Sequence, residues 1–358
     1  MLNYNDSIVK EDLKSLLEEN VKFEKLKDKN ILITGANGML ATYLVYYFMN
    51  LNDTRNTNIR IYLLSRNANK LNQKFMEGLD RTDIIPVIQD VTSKLEIEDN
   101  LDYIIHMASL ADPYNILNNP MSIIESNVIG TLNVLNLAKE KNAEVIFTST
   151  REIYGKMPED VTRIKETDMG ALDCFNQRSC YPESKRLAET MLVNYQYQYG
   201  VNFKNLRIAH AYGPGMNIEN DGRIMADLIC DAVHNRDIVL KSTGEAKRAF
   251  CYITDAVAGI LYVLLNGNIN ESYNIANETE EVTIKELAEL IANLYSVEVK
   301  YEISKDNRGY TNFKRVGLDT TKLESLGWKP KVKLIDGIEK TVKSFKNVEV
   351  EEKTSNIK

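Results

Sequence analysis

Residues 30–41 read Asn30-Ile31-Leu32-Ile33-Thr34-Gly35-Ala36-Asn37-Gly38-Met39-Leu40-Ala41. The short apolar run Ile31–Thr34 predicts a buried strand, the glycines after it permit a tight turn and close approach of backbone to a ligand, and a helix follows at once. That order sets backbone N–H groups at a helix N-terminus, where a pyrophosphate is held by hydrogen bonds and by the helix dipole. An ordinary strand-to-helix turn can carry the same glycines, so the surrounding sequence has to decide between the two.

Outward from this turn, short apolar runs recur at Ile59–Leu64, Ile84–Ile88, Tyr103–His106, Val145–Thr150 and Phe203–Ile208. Longer amphipathic stretches separate them, the longest over 121–141 and 179–199. Strands alternating with helices pair in parallel through right-handed crossovers, which predicts an α/β fold built on a doubly wound parallel sheet of Rossmann type. Beyond residue 211 the alternation fades. Gly213-Pro214-Gly215 breaks the pattern, and helices are expected near 222–235 and 283–295, in a smaller C-terminal α/β lobe. The predicted organisation has four parts. Residues 1–29 form an N-terminal helical extension, with Val9, Leu13, Leu16, Leu17, Val21 and Leu26 near helical spacing over 9–26. Residues 30–210 form a dinucleotide-binding domain to which 252–266 returns. Segments 211–251 and 267–346 form a substrate lobe, and 347–358 is a polar, frayed tail.

Of the 358 residues, 44% are apolar and 27% charged, ordinary values for a globular chain. A net charge of -7 offers no basic footprint for nucleic acid or an anionic membrane, so neither is an expected partner. Cys174, Cys180, Cys230 and Cys251 form no Cys-x-x-Cys pair, and with three histidines no metal-ligand spacing is visible. Reduced thiols and a cytoplasmic location are expected. No secretory signal is legible, and no apolar run approaches the ~20 residues of a membrane span.

The chemistry concentrates downstream. Tyr181-Pro182-Glu183-Ser184-Lys185 sets a tyrosine and a lysine one helical turn apart on one face. A cation beside a phenol lowers its pKa toward neutrality and makes it a base for a hydroxyl proton during hydride transfer. The strand ending Phe147-Thr148-Ser149-Thr150 brings a hydroxyl to the carboxyl edge of the sheet, where ligands of such folds bind.

Other matches follow in order: Asp90-Val91, His106-Met107-Ala108-Ser109, Asn127-Val128-Ile129-Gly130-Thr131, Tyr154-Gly155, Tyr212-Gly213-Pro214, and Arg248 leading to Asp255. With these, residues 30–345 resemble the extended short-chain dehydrogenase/reductases, the NAD-dependent epimerase/dehydratase group that works on nucleotide-sugars. Ala41 departs from the pattern, standing where a third glycine is usual. The resemblance implies that Thr150, Tyr181 and Lys185 form the catalytic set. Tyr181 would take the proton of a sugar 4-hydroxyl, Thr150 would bond that oxygen, and Lys185 would tune Tyr181 while holding the ribose. It also implies dinucleotide contacts from Gly35, Asn37, Gly38, Met39, Arg66, Asp90, Val91, Ala108 and Lys185, and a homodimer through helices 121–141 and 179–199. NAD and NADP both stay open. Strand two ends Leu64-Ser65-Arg66-Asn67 without an acidic residue. Arg66 either pairs with a 2′-phosphate, stacks on adenine, or is a solvated loop arginine.

Within the family, Glu152 ahead of Tyr154-Gly155 resembles both 4,6-dehydratases and uronate decarboxylases, while Arg178-Ser179-Cys180-Tyr181, Lys185-Arg186-Leu187-Ala188-Glu189 and Asp221-Gly222-Arg223 are most similar to UDP-glucuronate decarboxylases. Glu152 either moves a proton or is a structural acceptor. Arg151 stands where dehydratases of the dTDP-glucose type carry an acid, and guanidinium cannot protonate a leaving hydroxyl. Arg151 either pairs with a sugar carboxylate or faces outward. The decarboxylases usually carry serine at position 151 and asparagine at 210, so Arg151 and His210 are departures. His210 either meets substrate or satisfies a local acceptor. Arg223 and Arg248 are candidates for the diphosphate, Arg248 also for the sugar carboxylate, with surface arginines as the alternative. Decarboxylation of a nucleotide-activated uronic acid is the leading reading. A 4-epimerase comes next, followed by a 4,6-dehydratase or an NADP-dependent keto-sugar reductase, and a dinucleotide sensor without turnover stands outside the enzymes.

Overall fold

Seven strands make the main sheet: β1 (Asn30–Thr34), β2 (Arg60–Ser65), β3 (Ile84–Ile88), β4 (Tyr103–His106), β5 (Glu144–Thr150), β6 (Phe203–Ile208) and β7 (Glu271–Ile275). They are ordered β7-β6-β5-β4-β1-β2-β3, every neighbouring pair parallel. This is a computed structural model, and it describes residues 2–75, 81–303 and 316–355, with side chains as far as 347. Side chains alternate across the sheet as the pleat requires. Ile31, Ile33, Ile61, Leu63, Ile105 and Ile146 enter one core, while Leu32, Tyr62, Leu64, Ile104, Val145 and Phe147 enter the other. Burial on both faces is what turns these strands into near-continuous apolar runs.

The helices that cover the sheet and complete the second lobe are α1 (Ser7–Leu17), α2 (Met39–Arg55), α3 (Ala68–Phe75), α4 (Pro120–Lys141), α5 (Cys180–Tyr199), α6 (Ile224–Val233), α7 (Ile253–Asn266), α8 (Ile284–Tyr295) and α9 (Leu334–Ser355). Helices α2 and α7 supply the first core, α4 and α5 the second. The strand order reverses between β4 and β2 on either side of β1, which opens a crevice at the carboxyl ends of β1 and β4. In the second lobe, Ile238–Leu240 pairs with Val299–Tyr301 and Lys247–Ala249 with Glu281–Thr283. Residues 304–315, which the sequence assigns to this lobe, lie outside the described residues.

Three expectations need correction. The helix expected over 9–26 ends at Leu17, and a separate 3-10 turn forms at Phe23–Leu26. Glu18, Glu19 and Asn20 interrupt the apolar stripe there, and the chain turns so that Val21 and Leu26 still reach the core. The seventh strand, β7, comes from a segment assigned to the second lobe. Its sequence, Glu-Ser-Tyr-Asn-Ile, has little apolar signal, and Asn274 is buried only because Tyr154 bonds its Oδ1 while its Nδ2 donates to the Ile164 and Asp319 carbonyls. The tail expected to fray from 347 carries helical backbone as far as Ser355.

Helix α2 is buried without a break from Ala41 to Met49, as befits a helix apolar on every side. Its outer side is covered by α1, which packs on α2 and α7. Asp6 caps α1 by accepting from the Ile8 and Val9 N–H groups. At the centre of the contact lies Asp12, 1% exposed. Its Oδ2 accepts from the Tyr43 and Tyr252 hydroxyls at 2.9 Å each, and its Oδ1 from Lys340 Nζ at 3.1 Å. The extension is therefore built into the body, since this one carboxylate joins α1 to α2, to α9 and to Tyr252, the N-cap residue of α7. Replacing Asp12 with alanine strands two buried hydroxyls and unbalances a lysine, and is expected to lower the unfolding free energy by about 3 kcal/mol. Urea melts would read this directly, and an unchanged midpoint would show the contact to be dispensable.

Candidate active site

Strand β1 delivers the glycine turn to the crevice. Gly35 has φ +68°, and a Cβ there would stand 2.8 Å from Ala108 Cα, so the approach of the β1 and β4 loops requires glycine. Thr34 Oγ1 accepts the Met107 and Ala108 N–H groups at 3.1 Å each, which directs its own proton to His106 Nδ1 at 2.7 Å. Burial pushes His106 down to about 3, so its ring is neutral and Nε2–H faces Thr131 Oγ1 at 3.2 Å. Thr131 donates to the Asn127 carbonyl at 2.5 Å. Asn127 takes the Ser109 hydroxyl and donates to Ser184, whose hydroxyl reaches the Tyr181 carbonyl at 3.0 Å. A buried polar chain thus runs from the glycine strand to α5, the helix that carries Tyr181 and Lys185.

The residues fit a dinucleotide. Gly38 is the N-cap of α2, with Met39 opening the helix. Asn37 donates to Ser65 Oγ at the end of β2, while its buried Oδ1 has no hydrogen-bond partner among the described residues. An acceptor stranded in this cradle suits a ribose hydroxyl. Asp90 Oδ1 accepts from the Thr92 N–H and hydroxyl, and Arg66 lies 3.4 Å from the other oxygen with its side chain 69% exposed. Val91 packs on Gly130, where a Cβ would lie 3.0 Å from Val91 Cγ1.

Thr150, Tyr181 and Lys185 are all buried, and they converge where β5 meets α5. The Thr150 hydroxyl lies where it favours the charged form of the Tyr181 phenol. Lys185 Nζ donates to the Thr148 carbonyl at 2.8 Å and lies over the Phe147 ring. A lysine that draws the phenol toward neutrality is not what this state contains. Burial, then the negative charge of Glu152, pushes Tyr181 up to about 12, and burial pulls Lys185 down to about 7 against the pull of Glu189. Desolvation penalises both charged forms.

Glu152 is gripped by Arg178, whose two terminal nitrogens each donate to a carboxylate oxygen at 2.9 Å. Arg178 lies in the 3-10 turn just ahead of Tyr181, and its partnership was not foreseen. The available signal was an arginine three residues before the tyrosine. Arg151 points elsewhere, with Nη2 donating to the Val316 carbonyl at 3.1 Å. Arg223 clamps the buried Asp221, and its charge is felt at Tyr181. Arg248 donates to the Lys247 carbonyl, and the His210 ring lies 3.1 Å from the Ala249 carbonyl and stacks near Phe250. The fold also gathers a set without legible spacing. Glu219, Cys230 and His234 bring ligand-type atoms within 4.8 Å of one another, with Arg236 donating to the Cys230 sulfur at 3.1 Å. Glu219 comes from a loop, Cys230 from α6 and His234 from its C-cap, so no short spacing in the sequence announces the set.

Replacing Tyr181 with phenylalanine keeps the ring packing and deletes the proton acceptor. Turnover of a nucleotide-sugar is expected to fall ~100-fold or more with binding within a few-fold of wild type. Retention of more than about a tenth of the rate would remove the general-base role.

The model of the NAD dependent epimerase/dehydratase family matches residues 31–276. UDP-glucuronic acid decarboxylase 6 of Arabidopsis thaliana is 35% identical over 321 residues, 89% of each chain. UDP-glucuronic acid decarboxylase 1 of Danio rerio is 35% identical over 94% of this chain and 77% of its own. Among solved structures, the Thermotoga maritima UDP-glucose 4-epimerase with UDP-glucose superposes with a TM-score of 0.75 at 23% identity, covering 89% of this chain and 99% of that one. DesIV, a dTDP-glucose 4,6-dehydratase from Streptomyces venezuelae solved with NAD, gives 0.76 at 23% identity over 89% and 97%. Those two likenesses carry the fold, and the family match together with the closer relatives carries the lineage: the chain belongs to the NAD dependent epimerase/dehydratase family.

Proposed function

We propose that this enzyme oxidises the 4-hydroxyl of a nucleotide-activated uronic acid and releases its C6 carboxylate as carbon dioxide. The dinucleotide, when bound, supplies the acceptor and later the donor of the C4 hydride. The rest belongs to the chain. Tyr181 takes the hydroxyl proton, Thr150 orders that oxygen, and Lys185 stabilises the phenolate. A ketone at C4 makes the C6 carboxylate that of a β-keto acid. Its C5–C6 bond breaks with the electron pair drawn into the C4 carbonyl, after which C5 takes a proton and C4 is reduced again.

The observation that carries this reading over dehydration is the Glu152–Arg178 pair. Elimination of water across C5 and C6 needs a base at C5 and an acid for the leaving hydroxyl. Glu152 is held at both oxygens by Arg178, and Arg151 cannot release a proton at working pH. Decarboxylation asks for no such acid, because the 4-ketone is the electron sink. The relatives named UDP-glucuronic acid decarboxylase support the same choice. Arg223 and Arg248 are assigned to the diphosphate. Arg151 would meet the sugar carboxylate by giving up the Val316 carbonyl for it.

The apolar side chains left outside on α4 and α5 favour a two-fold assembly. Met121, Ile129, Leu132, Leu187, Val193 and Tyr197 are exposed along these two helices, a pattern that marks an interaction surface. A homodimer with a four-helix contact buries them.

Incubation with UDP-, dTDP-, GDP- and CDP-linked hexoses and hexuronic acids tests the reaction. A hexuronic acid should lose about 44 mass units, the mass of carbon dioxide, whereas a loss of about 18 means dehydration, an isomer means epimerisation, and consumption of NADPH means reduction. Sedimentation at micromolar concentration should show twice the 40.8 kDa chain mass, and a strictly monomeric species would remove the dimer.

A further inference from the structure

Beneath the glycine turn lies a charge that neither the motifs nor the proposed chemistry uses. Lys74, in the last turn of α3, is 5% exposed. Its Nζ donates to the Asn37 carbonyl and to Thr42 Oγ1, each at 2.9 Å. Thr42 Oγ1 passes its own proton to the Gly38 carbonyl at 2.7 Å. One ammonium group therefore ties together the residue between the two glycines, the N-cap of α2 and its first turn. Asn37 is fastened on its other side to Ser65 at the end of β2.

Among the described residues no carboxylate pairs with it, and burial together with the like charge of Lys70 pulls the Lys74 amine down to about 8. Hydrogen bonding of this turn alone is within reach of a neutral donor, and a buried cation held by neutral acceptors is a net expense to folding. An anion seated on the turn reverses the balance. The N-terminus of α2 is a seat for one, and the family's dinucleotide brings a pyrophosphate.

We propose that Lys74 is a positioning residue for the dinucleotide, bracing the glycine turn through Asn37 and Thr42 and supplying a fixed countercharge to the pyrophosphate. This rests on the family's cofactor and not on the choice of decarboxylation. It predicts a dependence on phosphate rather than on nucleoside. A residue that merely shapes the turn would affect every adenosine-containing ligand alike.

The test is binding of NAD, ADP and adenosine to the full chain stripped of nucleotide, followed by calorimetry, for wild type, Lys74→Met and Lys74→Gln. Glutamine keeps an N–H donor for the Asn37 carbonyl and removes the charge, so it covers the case in which methionine does not fold. The expected result is that Lys74→Gln weakens NAD and ADP about tenfold or more, the scale of a lost hydrogen bond to a charged group, and leaves adenosine within about twofold. The thermal stabilisation given by NAD should shrink in parallel, while the melting temperature of the nucleotide-free protein stays level or rises. NAD affinity equal to wild type in Lys74→Gln would overturn the proposal. So would an equal loss for adenosine and ADP, which would reduce Lys74 to a shape-giving residue.

Discussion

The amine of Lys185 is 2% exposed and has one carbonyl oxygen in reach, and much of the site is arranged around the difficulty of charging it. A buried ammonium is disfavoured by desolvation, as is a buried phenolate, so Tyr181 and Lys185 each resist the charged form. What keeps the lysine titratable near neutrality is Glu189, one turn further along α5. That carboxylate is fixed in turn by Arg207, with bonds of 3.1 and 2.7 Å, and by Ser149 at 2.5 Å. Arg207 also reaches the Tyr154 hydroxyl, which donates to Asn274 on β7. Helix α5, sheet edge and the turn after β5 are joined by one polar network, in which Glu189 and Arg207 form a buried pair.

A second network approaches α5 from the cofactor side, through Thr34, His106, Thr131, Asn127 and Ser184. Every hydroxyl in it has a determined proton, because Thr34 spends both lone pairs on backbone N–H groups. The consequence is positional. The helix that carries Tyr181 is registered against the strand that carries the glycine turn, which is what a reaction between a substrate hydroxyl and a dinucleotide would need.

Much of this was readable from the chain because burial on both faces writes β1, β2, β4 and β5 as apolar runs, and because Tyr181 and Lys185 are spaced by a helical turn. Expectation failed where a residue's role depends on a partner far along the chain. β7 is held by Asn274, whose partners come from residues 154, 164 and 319. Glu152 and Arg178 are 26 residues apart and meet only once the turn after β5 folds against the start of α5. Arg151 finds a carbonyl 165 residues away. Asp12 and Lys74 read as ordinary members of surface helices, and only packing shows them buried. The depressed amine and elevated phenol reverse the simple picture of a cation beside a base, since sequence carries spacing but not dielectric.

Everything in the site serves one claim, that the sugar is oxidised and reduced again at C4 within a single binding event. A nucleotide-linked hexuronic acid carrying deuterium at C4, turned over in ordinary water, measures this directly. The account predicts a decarboxylated product that keeps its deuterium at C4 and gains a solvent proton at C5. Loss of the label from C4, or a product that still carries its C6 carboxylate, would contradict it.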